Sequence, residues 1–334
     1  MPTVVYVSNA ESGTVSVLHL DLSCGALVTV QTLALGGMLM PMAVSPDRRH
    51  LYVARRSEPL AVCSLRIAQD DGSVSPIGEA PLPASMANIA TDATGRFLFS
   101  ASYGGNLVAV SPVGPDGVAQ RAQQVLPTEP QAHALRSDLS NRFAFATSLG
   151  GDRVLQFHFD ASSGRLTPND PPAFVARPGA GPRHLAFHPN GRSVYLLHEL
   201  DASVDVLEMD PQRGDLRHVQ THSAWPAGGS GAPWAADLRL TPDARFLYAS
   251  ERRTSTLTGF AVDARGGLSA LGSVPTQAEP RGFAIDPSGR YLIAAGQASH
   301  RLGVHAIDPA TGALSPVGEH AVGRAPNWVE AICF

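Results

Sequence analysis

Cysteine is scarce in this chain of 334 residues. Cys24, Cys63 and Cys333 are odd in number and widely scattered. They supply neither a disulfide framework nor metal-ligand spacing, so free thiols in a reducing cytoplasm are expected. Long apolar runs are missing too: none approaches the roughly 18 residues that span a bilayer. The N-terminal stretch has no basic region followed by an apolar core, so no secretory leader is expected and the expected location is cytoplasmic. No sign of charge dominates. The net charge of −4 gives no electrostatic case for nucleic acid or an acidic membrane surface. There is no glycine-rich phosphate loop and no serine nucleophile elbow. Clustered His, Asp or Glu at ligand spacing are absent, so neither a metal nor another cofactor is expected. No low-complexity linker or charge run marks a domain boundary.

What the chain does have is repetition. A short segment ending Gly-x-Leu, or close to it, recurs at Gly25, Gly72, Gly117, Gly164, Gly214, Gly266 and Gly312, in steps of 47, 45, 47, 50, 52 and 46 residues. A fixed period of this size means a stacked or circular array. Each glycine lies between two alternating apolar runs, such as Ser203–Met209 and Leu216–Gln220 around Gly214, which read as a β-hairpin. Asp71-Gly72 and Asp116-Gly117 suit a turn needing positive φ. The 32 glycines and 27 prolines fit a turn-rich all-β chain. The loop Pro226–Pro233 accounts for the longest step.

A second hairpin lies between successive glycines. Its turn reads Ser45-Pro46-Asp47-Arg48-Arg49, His188-Pro189-Asn190-Gly191-Arg192, Thr241-Pro242-Asp243-Ala244-Arg245 and Asp286-Pro287-Ser288-Gly289-Arg290, with looser copies ending at Arg96 and Arg142. Six copies are complete. The seventh is split between the incoming strand Asn327–Phe334 and the outgoing strand Thr3–Asn9. Pairing of the two ends would close a ring and leave only short sheet edges. The expected fold is an all-β, seven-bladed β-propeller of four-stranded antiparallel blades, one domain over residues 1–334.

The turn arginine serves as a ruler. Nine residues before it, at the start of each incoming strand, stand Met40, Ala87, His133, Arg183, Ala236 and Arg281. Seven residues after it stand Arg56, Tyr103, Leu149, Glu199, Arg252 and Gln297. Antiparallel pairing puts both columns on the same face of the disc, so His133, Arg183, Glu199 and Arg281 should converge on one mouth of the central channel. Met40, Ala87 and Ala236 show that folding does not demand a polar side chain there. The turn arginines, repeated in equivalent places, point to a structural role. Trp225, Trp234 and Trp328 read as packing residues that can also wall a pocket.

Particular segments carry a resemblance. Gly181-Pro182-Arg183-His184-Leu185-Ala186-Phe187-His188-Pro189-Asn190, Glu199–Val206, Trp234-Ala235-Ala236-Asp237, Pro280–Asp286, Ala294–His300 and Val322–Val329 are similar to the cycloisomerase-2, or lactonase, family of seven-bladed propellers. Within it they sit nearest the bacterial members that act on phosphorylated gluconolactone. The resemblance covers essentially the whole chain. It implies a catalytic set of His133, Arg183, Glu199 and Arg281. His184, Arg56, Tyr103, Asp237, Arg252 and Gln297 are the candidate substrate-binding residues around them. Ala132-His133-Ala134 departs from the Cys-His-Ser of those members, and His198 stands where they carry Asn.

The implied reaction is lactone hydrolysis, with 6-phospho-D-glucono-1,5-lactone of the pentose phosphate route as the first substrate. His133 or Glu199 would be the base. Arg183 or Arg281 would face the developing oxyanion. An arginine could instead grip a phosphate. An unphosphorylated aldonolactone or a muconolactone, hydrolysed or isomerised, is the alternative substrate. A non-catalytic propeller that binds a protein is the alternative class.

Overall fold

The computed structural model describes residues 2–334, and every paired strand runs antiparallel to its neighbours. There are seven sheets of four strands. In six of them the chain runs outward in simple order. The innermost strand Ala132–Ser137, for example, is followed by Phe143–Ser148, Arg153–Asp160 and the outermost Arg165–Val175. The seventh sheet is split as expected. Its innermost strand Pro326–Cys333 pairs with Thr3–Asn9, which pairs with Thr14–Leu20 and then Leu27–Ala34. Thr3 sits opposite Cys333 and Val7 opposite Val329. The seven innermost strands touch one another around a complete circle, so the molecule is a seven-bladed β-propeller with a central channel.

The core lies between blades rather than within one. Seven clusters of buried apolar side chains each bridge one adjacent pair of blades. Tyr52, Ile89 and Leu98 bind one pair; Tyr248, Leu257 and Phe283 bind another. A blade is apolar on both faces and has no stable existence without its neighbours.

The repeated glycine is the joint between blades. All seven have φ between +72° and +84°, a region that a Cβ disfavours. At Gly214 a Cβ would overlap the ring of Phe143, the first residue of a second strand in the adjoining blade. The glycine carbonyls are latched as well. The hydroxyls of Tyr6, Tyr52, Tyr195 and Tyr248 donate to the carbonyls of Gly72, Gly117, Gly266 and Gly312 at 2.9, 3.1, 3.0 and 2.7 Å. The turn arginines reach the same joints. Arg245 donates to Pro309 O at 2.7 Å, Arg290 to Leu22 O at 3.4 Å, and Arg96 to Ala161 O.

Six of the seven outermost strand pairs carry a bulge, for example at Val206/Leu207 and Gly259/Phe260. The bulges twist the exposed edges away from flat pairing with other chains.

Candidate active site

The innermost strands begin irregularly, and that irregularity builds the site. In the pairing of Ala132–Ser137 with Phe143–Ser148, Ala132 opposes Ser148 and Ala134 opposes Thr147, leaving His133 as the extra residue of a bulge. Arg183 occupies the same place between Pro182 and His184, and Arg281 between Pro280 and Gly282. A bulge re-aims a side chain that regular pleating would turn into the blade. Three of the four expected catalytic residues therefore share one backbone device. The fourth, Glu199, directly follows the second strand Ser193–His198, where the chain leaves the same face of the disc.

Glu199 is locked in place. Its Oε2 lies 2.7 Å from Arg183 Nε and 3.0 Å from an Arg252 guanidinium nitrogen. Arg183 also donates to Ala236 O, and Arg252 to Trp234 O and Ala235 O. The Arg252 guanidinium lies over the Trp234 ring, 3.8 Å from its centroid, a cation–π contact that adds to the clamp. Burial alone would raise the Glu199 carboxyl; Arg183 and Arg252 outweigh it and hold it below the usual range. An ionised carboxylate bound to two guanidiniums is an anchor and a weak base. It makes no hydrogen bond to His133 in the structure.

His133 is the group suited to take a proton. It is 3% exposed, and its Nδ1 is buried without a partner. Burial disfavours its imidazolium, and Arg183, His184, Arg281 and Arg252 repel the added charge, so its pKa lies well below the ordinary imidazole value. The ring is neutral at pH 7. Tyr103 meets it edge-on at 6.3 Å between centroids, and His184 lies 5.0 Å from it.

Arg281 and Arg56 complete the mouth with unspent donors. Arg281 gives one bond, 3.4 Å to Gln297 Oε1. Arg56 gives Nε to Ser85 Oγ at 2.9 Å and a weaker bond to Met40 sulfur. Among the described residues neither has a carboxylate within ion-pair distance. Burial comes first, then Arg183 and Arg56, in pushing the Arg281 guanidinium downward, though guanidinium keeps its proton in proteins. The guanidiniums of Arg183, Arg252 and Arg281 act on the Glu199 carboxylate, with Arg56 beside Arg281, so cationic charge is in excess at the mouth and suits an anion.

The model of the family described as "Lactonase, 7-bladed beta-propeller" matches residues 4–331. The chain belongs to this lactonase family. A 6-phosphogluconolactonase of Serratia proteamaculans is 43% identical over 333 residues, covering 99% of both chains. A 6-phosphogluconolactonase of Pectobacterium carotovorum is 43% identical over 335 residues, covering 100% of both. Among solved structures, the periplasmic gluconolactonase PpgL of Pseudomonas aeruginosa superposes with a TM-score of 0.93 at 29% identity, covering 100% of this chain and 99% of that one.

In this lactonase the remaining sequence-selected residues separate by depth. Tyr103, Arg56, Arg252, Gln297 and His184 join the cluster through the contacts above. Asp237 reaches it only through His184, whose Nδ1 is 3.6 Å away, and is otherwise held by Arg239 at 3.2 Å. His198, singled out as a departure, bonds to Asp205 at 2.9 Å and takes no part in the cluster. Trp328 is a packing residue in the core between two blades, with its ring 5.9 Å from His184. Asn88 escaped the sequence reading. It stands in the repeat position that His184 fills and is fully buried, and both amide atoms lack partners. Reading the column one residue further along would have found it.

Proposed function

We propose that this chain hydrolyses a six-membered sugar lactone at the His133 mouth, with 6-phospho-D-glucono-1,5-lactone as its substrate. The observation that carries the reading is a neutral, buried imidazole beside two arginines that have no carboxylate partner. The names of the 42–43% identical relatives support the phosphorylated substrate.

His133 takes a proton from water as the water oxygen bonds to the lactone carbonyl carbon. The carbonyl oxygen becomes an oxyanion and is met by the free N–H of Arg183, which Glu199 holds in position. Collapse of the tetrahedral intermediate breaks the bond to the ring oxygen, and the proton on His133 passes to that oxygen. Arg56 and Arg281 hold the phosphate, where a guanidinium fork matches two phosphate oxygens. All 25 cationic side chains are arginine, so no lysine amine competes with water for the carbonyl. Three unpaired cysteines fit a cytoplasmic setting, and cell fractionation tests that placement.

One observation favours a second substrate: PpgL, similar along its whole length, is named a gluconolactonase, without phosphate. Rates on phosphorylated and plain gluconolactone, with spontaneous opening subtracted, decide between them. The phosphorylated lactone should win in kcat/KM by about 10²-fold, as expected when two charge-assisted contacts are lost together. Arg56→Ala with Arg281→Ala should erase the difference. Equal rates on both lactones in the native enzyme would assign the unphosphorylated substrate.

A further inference from the structure

The channel has a second mouth, on the face where the innermost strands end. A cavity of about 440 Å³ opens there, lined from six of the seven innermost strands. Its exposed wall is more polar than apolar, but Val44, Ile89, Phe187 and Leu240 contribute apolar side chains, and three charged side chains enter it: Arg136, Arg239 and Glu330. The cavity is distinct from the catalytic mouth: none of His133, Arg183, Glu199, Arg252 and Arg281 lines it.

Two of the three charges are satisfied. Arg239 lies 3.2 Å from Asp237 and 3.7 Å from Glu330, and Glu330 also accepts the Trp328 indole N–H at 2.8 Å. Arg136 differs. Among the described residues it has no ion pair and no hydrogen bond, and its Nε is buried without a partner. A buried donor left without a partner is destabilising, more so when charged. Arg136 carries that cost while facing a cavity large enough for an organic molecule.

We propose that this mouth binds a small organic monocarboxylate, with its carboxylate on the Arg136 guanidinium and its apolar body against the cavity wall. The fork of Arg136 matches a carboxylate bidentately. The nearby Glu330 disfavours a dianionic ligand, which separates this site from one for a phosphorylated lactone or its product.

The test is calorimetric titration of the full chain with benzoate. Saturable binding is expected. Arg136→Gln should weaken it at least roughly tenfold, the scale of one lost charge-assisted bond, with lactonase kcat/KM unchanged. Leu139→Glu, a change at an exposed rim residue of the cavity, should weaken it too without endangering the fold. Arg281→Ala should bind benzoate as the native chain does, and inorganic phosphate, which has no apolar body, should not displace it. Absence of saturable binding overturns the proposal. So does binding that survives Arg136→Gln and Leu139→Glu but is lost in Arg281→Ala.

Discussion

At the scale of single residues the decisive asymmetry is between His133, which has no fixed partner, and Glu199, which has two. The pKa of His133 lies well below the ordinary imidazole value because of burial, with Arg183 the foremost neighbouring charge. The acid limb of kcat/KM against pH should therefore fall below about 6.5, the unperturbed imidazole value. Arg183→Ala removes a repelling charge and favours the imidazolium, so that limb should move upward. In the same variant, and in His133→Ala, kcat should drop by about 10²-fold or more, as for loss of an oxyanion donor or a base. Glu199→Gln tests the anchor. It leaves two buried guanidiniums without their carboxylate, so unfolding in urea should register a loss of about 3–5 kcal/mol. The four central residues were legible because a repeat turns alignment into geometry. The bulges beneath His133, Arg183 and Arg281 were not, because one extra residue per strand leaves no mark on hydrophobic alternation. Nor was the capture of Glu199 by Arg252, two residues in adjacent blades that only the assembled ring brings together.

At the scale of the blade, the glycine period is the imprint of an interface. The recurrence was plain in the sequence, but the reason for it lies in the neighbouring blade, where another side chain, a ring at every joint but those of Gly72 and Gly266, occupies the space of the missing one. Gly214→Ala should cost more than about 2 kcal/mol, from the positive φ and the collision with Phe143 together. Tyr52→Phe loses only the bond to the Gly117 carbonyl and should cost about 1 kcal/mol. Paired denaturation curves measure both, and the ranking is the point: reversal would mean that the latch rather than the close approach holds the joint. The arginines of the inner turns, assigned a structural role from their repetition, are seen doing this at the same joints.

For the whole molecule, buried neutral histidines set the response to acid. Burial lowers His305 from 6.5 to about 4, and its ring nitrogen is 2.9 Å from Thr276 Oγ1. His133 and His184 are displaced in the same direction. The unfolded chain takes up these protons at higher pH than the folded one, so stability is full above 6.5 and is lost as pH falls toward the folded values. For His305 alone the loss between 6.5 and 4 is on the order of 3 kcal/mol. The melting temperature should fall across this window, and His305→Gln, which cannot take up a proton, should flatten the slope.

The clasp between first and last strands has a mechanical side. Because Thr3 faces Cys333 across an antiparallel pair, the outer ends of both strands leave the disc at the same edge of the seam. Tension applied to the two termini therefore pulls bridges apart one after another, like a zip, instead of shearing them all at once. Under an atomic force cantilever the ring should peel open at this seam first and at low force, before any other blade yields.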